Sequence, residues 1–339
     1  MFRSKAPLRI GLAGGGTDVS PYCDMYGGAV LNAAISLYAH ASIELTDDDK
    51  ITIEAVDRGE CIVYDVADSL TIDGHLDLAK GAYNHIVKKY GKIPSGFKLT
   101  TSVDAPAGSG LGSSSTLMVA IVGAFAEWLQ LPLGEYDIAH MAYVIEREEL
   151  AMAGGKQDQY SATFGGVNFM EFYADDRVIV NPLPVKKEVL FELSNNLLLY
   201  FTSTSRLSST IIEAQTKNVQ DKNERSIEAM HQLKKQAEMM KETLLKGRVD
   251  DIGPILDYGF RYKKQMANDI SNESLDGIYE TALKHGATGG KISGAGGGGF
   301  MMFYCPGNTQ YAVANALKQI GGEFRRYHIT EQGLFTWTI

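Results

Sequence analysis

Cysteine is scarce. Cys23, Cys61 and Cys305 are the only three in 339 residues, and their wide, odd-numbered spacing excludes a disulfide framework and a thiolate metal centre. The seven histidines have no paired spacing. A basic excess is also missing: 32 Lys and Arg against 41 Asp and Glu leave a net charge of −9, which argues against a nucleic-acid groove. Long apolar runs are absent. The longest, Leu117 to Ala126, stops at Glu127 and is too short for a bilayer. Met1 to Pro7 lacks an apolar stretch of the signal-peptide kind. No Walker A pattern occurs. These absences lead to the expectation of a cytoplasmic protein without nucleic-acid or membrane partners.

What is abundant is glycine, 36 residues, much of it in dense tracts. The first is Ala105–Ser115: Pro106, Ala107, Gly108, Ser109, Gly110, Leu111, Gly112, Ser113, Ser114 and Ser115, running straight into an apolar segment of helical length. Glycines allow close backbone approach. The first N–H groups of a helix have no intrahelical partner, and the dipole there is positive. This spacing reads as a phosphate cradle, with a plain Gly-rich turn and serine cap as the alternative. Because the net charge repels phosphates at long range, any phosphate site must come from local Lys, Arg or N–H groups.

The second tract is Gly289–Gly299. Gly294, Gly296 and Gly299 satisfy Gly-x-Gly-x-x-Gly nominally, but Phe300–Tyr304 reads as strand, the wrong context for a dinucleotide fold. A third, Gly14–Gly16, ends a strand over 5–12. Thr17 and Asp18 after it read as sugar-hydroxyl partners or as turn formers.

Strands are predicted at 28–35, 39–45, 51–56, 61–66 and 97–103, and helices at 78–90, 113–130 and 134–153. Gly154–Gly155 breaks the last helix ahead of Asp158, an acid aimed into a cleft or a helix cap. Strand returns at 164–172, and Pro182–Pro184 marks a junction near 185. Beyond it come a strand at 196–201 and a hydroxyl-rich loop, Thr202–Ser209, whose Arg206 suits a phosphate or sugar. Then follow helices at 227–244, 252–266, 274–284 and 308–320, with closing strands at 324–328 and 334–337. Strand-rich first, helix-rich later, the chain is α+β.

Three tracts in order, Ala6–Asp18, Pro106–Ser115 and Lys291–Gly299, resemble the signatures of the GHMP kinases (galactokinase, homoserine kinase, mevalonate kinase, phosphomevalonate kinase). Gly14–Asp18 running into Pro21–Tyr22 and Gly27–Asn32, and Thr202–Ser209 running into Ile211–Gln215, resemble the branch that acts on heptose 7-phosphates. The resemblance implies two domains, 1–185 ribosomal-S5-like α+β and 186–339 a ferredoxin-like sandwich, with the site between them. It implies ATP and Mg²⁺, a small-molecule sugar phosphate as partner, a monomer or homodimer, and phosphorylation of the anomeric hydroxyl. The product would be heptose 1,7-bisphosphate, on the way to nucleotide-activated heptose for surface glycans. A fucose-type sugar-1-kinase and a non-catalytic sugar or nucleotide sensor are the alternatives.

Carried over residue by residue, the resemblance makes Asp158 the catalytic acid–base group, with Arg9 its cationic partner. Residues 106–115 become the ATP loop, Ser114 and Glu146 the Mg²⁺ ligands, and Gly16, Thr17 and Asp18 the sugar contacts. Gly294, Gly296, Gly297 and Gly298 would close the cleft against the ATP loop. Galactokinase carries Glu-His where this chain has Gly15-Gly16. Arg206, Lys156 and Lys291 are the candidates for the substrate's own phosphate.

Overall fold

The computed structural model describes residues 1–203 and 208–339. The first strand, β1 (Phe2–Ala13), is longer than the sequence pattern suggests. It buries Leu8, Ile10 and Leu12 completely, each contributing roughly 1.5–3 kcal/mol by removal from water. A short helix α1 (Tyr22–Tyr26) follows. Then comes β2 (Gly28–Leu45), one continuous strand where two were expected. The residues between the two expected strands, Ser36–Tyr38, are only partly buried, which hides the continuity in a hydrophobicity reading.

Strand β2 organises the larger sheet. It pairs with β1 along most of its length, with β5 (Phe97–Val103) through its second half, and with β6 (Val167–Phe172) through its first. Strands β3 (Lys50–Ala55) and β4 (Glu60–Asp65) extend the β5 edge, β3 lying parallel to β5, and β7 (Val178–Pro182) extends β6. Helices α2 (Asp77–Tyr90) and α3 (Ser113–Leu129) cover the β5 half around a core that includes Ile43, Phe97 and Phe125. Helix α4 (Glu135–Tyr143) continues into a single π turn, Val144–Glu149, and α5 (Gln157–Phe164) leads into β6.

The second sheet is antiparallel, ordered β11–β8–β10–β9, with β8 (Leu197–Phe201), β9 (Gly289–Ile292), β10 (Phe300–Tyr304) and β11 (Glu323–Arg325). Its helices are α6 (Lys187–Asn196), α7 (Ser208–Gln220), α8 (Glu224–Lys246), α9 (Ile252–Met266), α10 (Glu273–Lys284) and α11 (Thr309–Ile320). The predicted periodicity of α8 is real, with Met230, Leu233, Ala237, Met240 and Leu244 all buried. A shared core joins the two sheets: Leu8, Ile10 and Leu31 from the first, Leu199, Phe300 and Met302 from the second, and Ala237 and Leu256 between them. The last strand, β12 (Phe335–Thr338), crosses back to pair with β1. The sequence-order division at 185 therefore leaves one strand of the first sheet at the far end of the chain.

Candidate active site

A cleft of about 460 Å³ opens where β1, the start of α3 and the β9–β10 connection meet. The residue ahead of α3 is Gly112, in left-handed conformation, and no side chain caps the helix. The expected serine cap is therefore absent. The first-turn residues Ser113, Ser114 and Ser115 line the cleft with Gly108, Gly110 and Gly112. The rest of the expected ATP loop points elsewhere. Leu111 and Ser109 are fully buried, and Pro106 and Ala107 are exposed away from the cleft.

The second glycine tract is the hairpin loop between β9 and β10, and it is stitched to the first. Phe300 N donates to the Ser109 carbonyl at 2.9 Å, and Ser293 Oγ to the Gly110 carbonyl at 2.8 Å. Gly110 and Gly294 are both left-handed, and a Cβ on Gly294 would sit 2.7 Å from Gly110 Cα. Glycine is required at both because backbone meets backbone. Gly296 and Gly297 instead face Ile270, whose carbonyl accepts from Gly297 N at 2.9 Å, and Gly298 follows in the same turn.

Arg9 lies between register shifts of β1 against β2, the kind of irregularity that re-aims side chains. Its Nε donates to Asp158 Oδ1 at 2.7 Å, its Nη2 lies 2.7 Å from the same oxygen, and its Nη1 donates to the Gly110 carbonyl at 2.6 Å. Asp158 sits in the first turn of α5 with its side chain 19% exposed, toward the cleft. It is not the helix cap: that service comes from Asp18, which accepts from Gln157 N at 3.1 Å and Gln157 Nε2 at 2.9 Å.

Glu146 is fully buried on the π turn. The predicted helix over 134–153 stops there, and the widened turn (Leu150 N to the Ile145 carbonyl, 2.9 Å) turns Glu146 toward α3. Glu146 accepts from Ser114 Oγ and Gln159 Nε2, both at 2.8 Å, and Arg147 Nη1 lies 3.2 Å away. Gln159 and Arg147 were not foreseen, though Gln159 stands next to Asp158 in the chain.

The remaining wall corrects several expectations. Thr17 is fully buried, and its hydroxyl is spent on backbone, donating toward the Gly14 and Ala29 carbonyls and accepting from Ala29 N. It braces the turn and does not reach the cleft. Asp18 and Gly16 do line it. Burial pushes the Asp18 carboxyl up from its ordinary value, opposed by the bond from Gln157 N and reinforced by the nearby Asp158 charge. Lys156 turns away into an adjoining pocket of about 480 Å³. Its Nζ lies 2.6 Å from Asp176 and 5.3 Å from the Tyr143 ring. Arg206 lies outside the described residues. Lys291 reaches the cleft, donating to the Gly11 carbonyl at 2.6 Å. Lys263 on α9, which no sequence signal singled out from its helical stripe, faces the same space.

Comparison with known proteins agrees with this geometry. Residues 77–166 match the GHMP kinases N terminal domain and residues 240–323 the GHMP kinases C terminal domain. The chain is 47% identical over 338 residues to a D-glycero-alpha-D-manno-heptose 7-phosphate kinase of Campylobacter jejuni, covering 100% of this chain and 99% of that one. The chain belongs to the GHMP kinases. A solved structure of a D-glycero-D-manno-heptose 1-phosphate kinase from Bacteroides thetaiotaomicron matches this GHMP kinase at 44% identity and a TM-score of 0.85, covering 100% and 99% of the two chains. A putative sugar kinase from Campylobacter jejuni matches at 46% and 0.83, covering 100% and 98%. A mevalonate kinase at 20% identity and a TM-score of 0.76 shares the fold.

This GHMP kinase is thus a phosphotransferase, of a family that uses ATP as phosphoryl donor. Its two-sheet α+β architecture is that of its family. No helix among the described residues is long and apolar enough to cross a membrane.

Proposed function

We propose that this kinase transfers the γ-phosphoryl group of ATP to the anomeric hydroxyl of D-glycero-D-manno-heptose 7-phosphate, giving heptose 1,7-bisphosphate for nucleotide-activated heptose synthesis. The observation that carries the reading is that Arg9 binds Asp158 and the Gly110 carbonyl together. One guanidinium so sets the distance between a carboxylate and an uncapped helix start. The two relatives above, named as heptose phosphate kinases, support a heptose phosphate as acceptor.

Phosphoryl transfer asks mostly for positioning and charge neutralisation. The first-turn N–H groups of α3 hold the ATP phosphates. Asp158 accepts the proton of the anomeric hydroxyl as its oxygen bonds to the γ-phosphorus and the bond to ADP breaks. Asp18 and the Gly16 backbone hold sugar hydroxyls. We read residues 1–185 as the domain carrying the ATP loop and 186–339 as the domain that closes on it.

Ser114 Oγ and Glu146 Oε1 stand 2.8 Å apart, and these two oxygens would hold Mg²⁺. Both are hard oxygens beside the phosphate loop. The residues fit Mg²⁺, which when bound would neutralise charge on the β- and γ-phosphates.

The test is a panel of acceptors (heptose 7-phosphate, free heptose, fucose, galactose) assayed for ADP release, with ³¹P NMR of the product. A new anomeric phosphate on the heptose 7-phosphate is expected. Turnover confined to fucose or galactose, or a new phosphate elsewhere on the heptose, overturns the reading.

A further inference from the structure

Among the described residues, two lysines in the cleft form no salt bridge. Lys263 is 2% exposed and Lys291 4% exposed. Each donates to one backbone carbonyl, Lys263 to Gly15 at 3.4 Å and Lys291 to Gly11 at 2.6 Å. Among the described residues neither has a carboxylate oxygen within 4 Å. Lys156, by contrast, is already neutralised by Asp176. A buried ammonium with most of its donors unused is costly unless a ligand brings the counter-charge.

The two lysines face the same cleft, close enough that the Lys263 charge, with Arg9, adds to burial in pushing Lys291 down. Lys291 is two residues from Ser293, which bonds the ATP loop. Lys263 stands against the Gly15 carbonyl and near Asp18. Gly15 is not glycine for backbone reasons: its φ is unexceptional, and an added Cβ would meet nothing closer than Gln157 Nε2 at 4.0 Å. The missing side chain leaves room beside the Lys263 ammonium.

We propose that Lys263 receives the phosphate that the acceptor already carries, in the space left open at Gly15, and so selects a sugar phosphate over the free sugar. This rests on the acceptor being a phosphorylated heptose. Burial lowers the Lys263 ammonium to about 8, with Asp18 opposing that and Arg9 adding to it. The charged groups around it are therefore Asp18 on the β1–α1 turn, Arg9 on β1 with its partner Asp158, and Lys291 on β9, while Glu213 of α7 lines the same cleft.

The experiment measures kcat/KM of wild type, Lys263→Met and Lys263→Arg on heptose 7-phosphate and on free heptose. For Lys263→Met the preference for the phosphorylated sugar should fall at least about 30-fold, mainly through KM, and Lys263→Arg should recover much of it. In wild type, KM for the sugar phosphate should climb as pH rises through about 8, while Lys263→Arg stays flat, since guanidinium remains charged. Equal loss on both sugars, no loss on either, or a rise confined to the KM of ATP overturns the assignment. So does a collapse of the preference in Lys156→Met, which would put the phosphate in the adjoining pocket. A wild type that turns over neither heptose refutes the proposed function itself, before any variant is compared.

Discussion

Arg9 and Asp158 come from opposite ends of the first 160 residues, yet Nε and Oδ1 stand 2.7 Å apart, and the same guanidinium holds the Gly110 carbonyl at 2.6 Å. The pair couples the acid to the phosphate loop. In the proposed reaction the base and the donor phosphates therefore share one positioning group. The proposed transfer depends on that separation more than on the reactivity of any one side chain.

Asp158→Ala should lower kcat at least about 100-fold while ATP binding persists, because general-base removal typically costs that much. Equilibrium binding of a non-hydrolysable ATP analogue beside steady-state turnover checks this. Turnover within about tenfold of wild type would take Asp158 out of the role. Arg9→Met should lower kcat and also raise the KM of ATP, since it frees the loop as well as the acid.

Glu146→Gln should raise the Mg²⁺ concentration for half-maximal rate by at least about tenfold, because the amide keeps the bond from Ser114 but loses the charge that favours a divalent ion. Titration of activity with Mg²⁺ at saturating ATP reads this directly. An unchanged midpoint would mean that Glu146 only anchors Ser114, Gln159 and Arg147.

Gly294→Ala should weaken ATP binding by about tenfold or more and lower the melting temperature. The new Cβ would press on Gly110 Cα at 2.7 Å, and the position is left-handed. Isothermal titration with an ATP analogue and thermal unfolding give the two numbers. Binding and stability both at wild-type level would show that the two tracts separate freely.

Lys263 sets affinity against stability. Its folded-state value is about 8, below the ~10.4 of an unfolded lysine. Between those values the unfolded chain binds more protons, so the lysine's contribution to stability rises with pH and its penalty is fully present below about 8. Lys263→Met should therefore unfold later than wild type at pH 7, by at most about 3 kcal/mol, with the gain fading toward pH 10. Urea titrations at both pH values test it. An equal difference at the two values would mean that the ammonium carries no burial penalty.

The residue order by itself determined a good deal of this protein. Helix α9 is predicted with its observed bounds and α8 within a few residues; the apolar stripe of α8 recurs at helical spacing between an Asn223 cap and Gly247. The turn from β5 into α3, the acid behind Gly154–Gly155 and the three glycine tracts were legible for the same reason: close backbone approach leaves glycine in the chain wherever it occurs. Tertiary structure alone decided which side chains arrive. Thr17 and Lys156 have the right chemistry for a ligand, but nearby partners at Ala29 and Asp176 consume it. Lys263 looks like one more position on an amphipathic helix until α9 packs behind the Gly15 turn. Whether a polar group is spent or available depends on its neighbours in space, and local periodicity does not report those contacts.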